Sequence, residues 1–202
     1  MRPGGSLTAP PEHAALAARF VRQALQNDNN RVILERLPAL ALPDAWLVAG
    51  CLFQTIWNLQ DGREPTAGIK DYDLFYFDAS DLSEQAESAV GARVQARFRD
   101  LGITVEAKNQ ARVHTWYPQW FGRPYPALSS ARDGIDRFLV PCTCVGLRDT
   151  SGLLASLYAP YGLADLYQGL LRPNALCDHR DLFRAKAASY QLRWDWLQIV
   201  ET

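Results

Sequence analysis

Two aspartates head an otherwise aromatic and apolar run, Asp71-Tyr72-Asp73-Leu74-Phe75-Tyr76-Phe77. The run has the length and residue types of a buried strand, and on a strand the i, i+2 spacing sends both carboxylates to the same face. Two like charges placed side by side in a buried setting repel each other unless something compensates them. Either the pair lies at a solvated strand end, or it shares a hard divalent cation such as Mg²⁺. Glu106, on a strand expected at Ile103–Ala107 after an intervening helix, is a candidate third oxygen ligand; in the bland reading it faces water.

The rest of the chain alternates helix and strand signals. Apolar residues from Ala14 to Leu25 recur at a helical period and stop at Asn27-Asp28-Asn29-Asn30, and a second helix through Val32, Ile33, Leu34 and Leu37 ends near Pro38. A short strand, Ala45–Ala49, is closed by Gly50-Cys51 and followed by a helix from Leu52 to Leu59. Residues 61–70, with Gly62, Pro65 and Gly68, have loop composition. Asp81 and Glu84 predict the cap of a helix running to about Asp100. Asn109 to Trp120 reads as helix, and a short helix is expected around Ser130 to Phe138. Cys142–Leu147 and Leu153–Tyr158 predict a hairpin, and helices are expected at Leu163–Leu171 and from Asp178 to Val200. Arg172-Pro173-Asn174 reads as a helix-ending turn. The predicted fold class is α+β, a mixed β-sheet flanked by helices with a C-terminal hairpin and helices. Residues 1–10 predict a flexible terminus, and 11–202 one domain with a core of about 45–120 and an extension of about 140–202.

With 202 residues, 48% of them hydrophobic, the chain can bury a real core. Twenty-one basic against 22 acidic residues leave a net charge of −1, which argues against a protein that coats long nucleic acid through its phosphates. No stretch approaches the roughly 20 apolar residues of a membrane-spanning helix, and the start lacks a secretory signal, so a cytoplasmic protein with no membrane partner is expected. The four cysteines, Cys51, Cys142, Cys144 and Cys177, fit neither a disulfide framework nor a zinc pattern; buried thiols are expected, with Cys142 and Cys144 alternating on a strand. His179 beside Cys177 lacks a second ligand pair.

Upstream of the aspartates, the strand-Gly50-Cys51-helix turn offers backbone N–H groups and a helix N-terminus to an anionic phosphate. Strand, Gly50-Cys51, helix, Asp71-Tyr72-Asp73 strand, helix and Glu106 strand, in that order, resemble the DNA polymerase beta-like nucleotidyltransferase superfamily. Within it, Ala49-Gly50-Cys51, Gln54-Thr55-Ile56-Trp57-Asn58, Lys70-Asp71-Tyr72-Asp73-Leu74, the segment from Val105 to His114, Tyr158–Leu163 and Leu171–Asn174 are similar to a bacterial nucleotidyltransferase family once labelled a domain of unknown function. The resemblance implies Mg²⁺- (or Mn²⁺-) dependent transfer of a nucleoside monophosphate from an NTP to an acceptor, with release of pyrophosphate. It implies Asp71 and Asp73 as holders of two metal ions, Glu106 completing the site, and Gly50-Cys51 as the phosphate turn. Two departures stand out. Cys51 occupies the place of the usual serine, and Asp71 lies 21 positions after Gly50, a longer gap than the usual compact spacing.

A triphosphate needs further positive charge, and Lys70, Lys108, Arg112 and His114 flank the acids; the competing readings are solvated strand-end lysines and a hydrogen-bonded structural histidine. Trp46, Trp57, Trp116, Tyr117 and Trp120 read first as core rings and second as stacking partners for a base. The near-neutral charge favours a small-molecule or protein acceptor. The alternative function is a catalytically inactive nucleotide- or partner-binding module of the same fold, such as a toxin–antitoxin component.

Overall fold

The computed structural model describes residues 11–148, 156–177 and 179–200. The first ten residues and the connection of the expected C-terminal hairpin lie outside them. Five strands form a mixed sheet in the order β3-β2-β1-β4-β5: β1 (Trp46–Val48), β2 (Asp71–Tyr76), β3 (Thr104–Asn109), β4 (Gly146–Arg148) and β5 (Ser156–Tyr158). β1 pairs antiparallel with β2 and β4, β4 antiparallel with β5, and β2 parallel with β3. The parallel pair is joined by α4 (Glu84–Arg97), as a crossover requires.

One face of the sheet carries the main core. Tyr72, Leu74 and Tyr76 of β2 and Val105 and Ala107 of β3 alternate onto it with exposures of 5% or less. They pack with side chains of α1 (Pro11–Ala24), α2 (Asp28–Arg36) and α3 (Gly50–Gln60). The other face is only partly covered. Ala131 and Ile135 of α6 (Ala131–Ile135), with Cys144 and Phe138, cover Trp46, Val48, Phe75 and Phe77. That second cluster reaches Phe75 and leaves the Asp71 end of β2 open.

The last long helix, α8 (Arg180–Gln191), is anchored by aromatic edges. Trp57 of α3 meets Tyr190, Trp194 and Trp196 at ring separations of 5.2–6.5 Å, and Phe53 meets Tyr190 at 5.4 Å. Such pairs contribute about 0.5–1.5 kcal/mol each beyond their burial. The Trp57 and Trp194 indole N–H groups donate to the Leu166 carbonyl and to Asn58 Oδ1. This anchor packs α8 into the main core and leaves Leu182, Lys186 and Tyr190 along the cleft.

Several local expectations change. The cap of α4 is Ser83, whose hydroxyl accepts from the Ala86 amide, while Asp81 accepts from the Ser83 amide one turn earlier. Pro141–Thr143 is a 3₁₀ turn, with the Thr143 hydroxyl donating back to the Val140 carbonyl, so Cys142 and Cys144 do not share a strand. α7 spans only Ala164–Gln168, because Gly169 at φ 71° turns the chain out of the helix. Leu170–Leu171 then forms β6, which pairs in parallel with β7 (Gln198–Ile199). The expected long C-terminal helix stops at Gln191, since Trp194 and Leu197 are drawn into the core. Asn174 closes the segment that follows β6 by donating to the Asp136 and Phe138 carbonyls. All four cysteines are free thiols, three of them buried and Cys177 half-buried. Among the described residues no helix is long and apolar enough to cross a membrane.

Candidate active site

The turn from β1 into α3 has no spare residue, and its geometry falls on Ala49. This residue sits at φ 57°, ψ −123°, a backbone region that costs a side-chain-bearing residue of order 1–3 kcal/mol. Its amide donates to the Val145 carbonyl and its carbonyl accepts from Leu52 and Phe53, so the strained conformation is tied on both sides. Gly50 follows where a Cβ would come within 2.8 Å of Gln54 Nε2. Gln54 is itself held by the Arg193 guanidinium, 2.7 Å from its Oε1. The first amides of α3 have no intrahelical acceptor and present positive partial charge.

Cys51 is a buried thiol, as expected. Its side chain is completely buried, its thiol donates to the Val48 carbonyl, and burial, with Asp73 next in effect, pushes its pKa well up. The thiol points into the core, so the backbone of Gly50-Cys51, not the Cys51 side chain, is what the turn offers a phosphate.

Asp73 pairs in register with Val48 on one side and Glu106 on the other, so β2 places it between the phosphate turn and the third acid. Burial, then the Asp71 and Glu106 charges, raise the Asp73 carboxyl from 3.8 to about 6, against the lowering pull of Lys108 and Lys186. Asp71 and Asp73 both line the cleft. Glu106 sits on the same face but outside the cleft lining, 3.2 Å from Lys108 Nζ. Among the described residues no three His, Cys, Asp or Glu side chains are already clustered as a metal site. The donor set nevertheless suits a hard divalent ion: two carboxylates on one face of β2, one of them half-buried, under mutual repulsion.

The flanking cations separate. Lys108 and Arg112 line the cleft, whereas Lys70 is exposed and outside it. Arg112 pairs with Glu87 and donates to the Leu82 carbonyl, while Glu87 also accepts from the Asn109 amide. Its charge is therefore already matched by α4. His114 is half-buried away from the cleft, with Nδ1 buried and lacking a partner.

The cleft has a volume of about 900 Å³. Trp46 and Trp57 are core residues, whereas Trp116, Tyr117 and Trp120 of α5 (Val113–Phe121) line the cleft wall. Gln54, from a segment that carries the family resemblance, also lines the cleft, and three further lining residues carried no local signal: Tyr125, Arg137 and Lys186. Lys186 lies on α8 with its ammonium over the Tyr190 ring, and its charge acts on Asp73 from more than a hundred positions away in the chain. Helical periodicity marks Lys186 only as polar; the docking of α8 on Trp57 brings it to the acids.

Residues 35–199 match the model of a family described as Nucleotidyltransferase. A solved structure described as an NMR structure that reveals a CCA-adding enzyme head domain superposes with a TM-score of 0.76 at 27% identity, over 92% of this chain and 96% of that one. No curated protein matches the chain. With the strand–turn–helix, the paired aspartates and the sheet order all in place, the match over residues 35–199 assigns this chain to the nucleotidyltransferase family.

Proposed function

We propose that the protein transfers a nucleoside monophosphate from an NTP to an acceptor hydroxyl in a Mg²⁺- or Mn²⁺-dependent reaction. The observation that carries this reading is the placement of Asp71 and Asp73 on the cleft floor beside the helix N-terminus at Gly50. The acceptor oxygen bonds to the α-phosphorus, the bond from that phosphorus to the bridging oxygen breaks, and pyrophosphate leaves. The acceptor proton passes to a carboxylate and from there to water.

Asp71 and Asp73 would hold the divalent ion, and Glu106 would join them once it leaves Lys108. Bound there, the ion supplies charge neutralisation to the phosphates. The chain's own residues do the positioning. The Gly50 and Cys51 amides face the terminal phosphates, and Lys186 adds a cation between α8 and Asp73. Phosphoryl transfer of this kind asks chiefly for orientation and electrostatic stabilisation. The net charge of −1 favours a small-molecule or protein acceptor over a long nucleic acid.

Calorimetric titration with each NTP, with and without Mg²⁺, is the direct test. Saturable binding that requires both the metal and the Asp71–Asp73 pair, lost in Asp71→Ala/Asp73→Ala, is the expected outcome, followed by pyrophosphate release once an acceptor is supplied. Binding without release under any acceptor would favour the second reading, a non-catalytic nucleotide-binding module, which the pairing of Glu106 with Lys108 and the burial of the Cys51 thiol motivate.

A further inference from the structure

The cleft extends well past the carboxylates. At its far end Tyr117 stacks with Phe121 and Tyr125 at ring separations of 4.5 and 4.4 Å, and the Arg137 guanidinium lies 5.4 Å from the Tyr125 ring. The Tyr117 hydroxyl is hydrogen-bonded to His179 Nε2 at 2.9 Å, which ties α5 to the start of α8. Among the described residues no carboxylate forms an ion pair with Arg137; its polar contact is the Leu176 carbonyl at 3.4 Å. Half-buried rings in the cleft wall, beside a guanidinium that no described carboxylate pairs with, form a surface that receives a planar group and a negative charge.

The sheet order says which reactant this end serves. The phosphate turn ends β1, Asp73 is on β2 between its neighbours, and Glu106 is on β3, so the reaction axis runs from the β1 side to the β3 side. α5, with its aromatic wall, follows directly from β3. With the phosphate turn and Asp71 and Asp73 at one end of the cleft, the aromatic end is the part left for the nucleophile. An anionic group on the acceptor, which the metal-bound triphosphate leaves without a counter-ion at Asp71 and Asp73, is sorted to Arg137 while the reacting hydroxyl reaches the carboxylates.

We infer that the Tyr117–Tyr125–Arg137 end is the acceptor subsite, and that it takes a planar aromatic compound bearing a phosphate or carboxylate as well as its reacting hydroxyl. The inference rests on the nucleotidyl-transfer reading for the word acceptor; the aromatic-anion site itself does not need the metal or the NTP.

The test uses the full-length protein and two probes, phenyl phosphate and benzoate, titrated by NMR in EDTA with inorganic phosphate as the ring-free control. Both probes bind with shifts centred on the Tyr117 and Tyr125 rings, and inorganic phosphate binds at least tenfold more weakly. Arg137→Ala and Tyr125→Leu each weaken binding about tenfold or more, while Asp71→Asn/Asp73→Asn leaves it within twofold. Should Arg137→Ala fail to fold by circular dichroism, Arg137→Gln and the wild-type shift map carry the same decision. A non-hydrolysable NTP with Mg²⁺ added to the loaded protein binds alongside the probe. Displacement of the probe by the NTP would make this end the base pocket and overturn the acceptor assignment. Probe binding insensitive to Arg137 would overturn the site. An NTP analogue that fails to bind while the probe binds would overturn the transferase reading and the acceptor role with it.

Discussion

Asp73 and Glu106 occupy paired positions on the parallel strands β2 and β3, and both project onto the one sheet face that the second hydrophobic cluster leaves open. The crowding is a property of the backbone register, so no side-chain rotation can remove it entirely. Burial first, then the charges of Asp71 and Glu106, hold the Asp73 carboxyl at about 6, above its ordinary 3.8.

The raised pKa works against the metal-free fold. Below about pH 4 Asp73 is protonated in both folded and unfolded chains and the folded state is not penalised; as pH rises through 6 the folded carboxyl must ionise against its neighbours. At 1.36 kcal/mol per pH unit, the gap from 3.8 to about 6 makes this group's destabilisation about 3 kcal/mol above pH 6. In EDTA at pH 7, Asp73→Asn is expected to unfold at a higher denaturant concentration than wild type, with the advantage shrinking towards pH 4. Urea titrations of both proteins across pH 4–8 check this, and equal midpoints at pH 7 would refute it.

Metal and NTP binding carry the opposite sign. Ionised Asp73 is the binding form, so affinity for Mg²⁺·NTP rises with pH and levels off above about 6. Lys186 lowers the Asp73 pKa, so Lys186→Met is expected to move that limb to higher pH, and Asp71→Asn to move it lower even as it weakens binding outright. Calorimetry at several pH values reads both displacements. Loss of the Lys186 charge is also expected to raise the KM for NTP about tenfold.

Ala49 offers a test of backbone strain. Replacing alanine by glycine in a turn ordinarily destabilises through the unfolded chain, by about 0.4–1 kcal/mol. At φ 57°, ψ −123° the relief of strain is expected to exceed that cost, so Ala49→Gly gains about 1 kcal/mol while Ala49→Val loses 2 or more. Thermal unfolding of the three proteins decides it, and an Ala49→Gly protein of lower melting temperature would contradict the assignment.

Arg112 is expected to act on stability before activity. Its pair with Glu87 is largely sheltered, with side-chain exposures of 11% and 17%. Arg112→Ala leaves the Glu87 carboxylate unmatched and should cost about 2–3 kcal/mol. Glu87→Ala/Arg112→Ala should recover part of that loss, whereas an Arg112 that served the triphosphate would instead show an unchanged melting point and a raised KM. A double-mutant cycle by chemical denaturation, with NTP titration of each variant, separates the two.

Gly134 is a packing constraint at the cleft wall. A Cβ there would fall 2.1 Å from Oε1 of the buried Gln110, so Gly134→Ala must displace a side chain that lines the cleft. A loss of about 1–3 kcal/mol is expected from urea unfolding. Gln110→Ala/Gly134→Ala should restore most of it.

Much of this molecule is written locally in the chain. The alternation that puts Asp71 and Asp73 on one face, the Gly50 turn into α3, the helix separating β2 from β3 and the buried thiols all follow from period, turn chemistry and hydrophobicity over a few neighbouring residues. The sequence placed Glu106 on the strand beside Asp73, and the register made them partners. What the sequence could not show depends on contacts between distant segments. Arg112 reads as a free cation until α4 brings Glu87 to it. The chain past Gln191 has the pattern of a continuing helix, yet burying Trp194 and Leu197 outweighs that propensity and yields β7. Lys186 and Arg137 look like ordinary surface cations because a helical period reports only that a face is polar. It was the aromatic contact of Trp57 with Tyr190 and Trp194, and the fold-back of α6 over Phe75, that set one beside the acids and the other at the far end of the cleft.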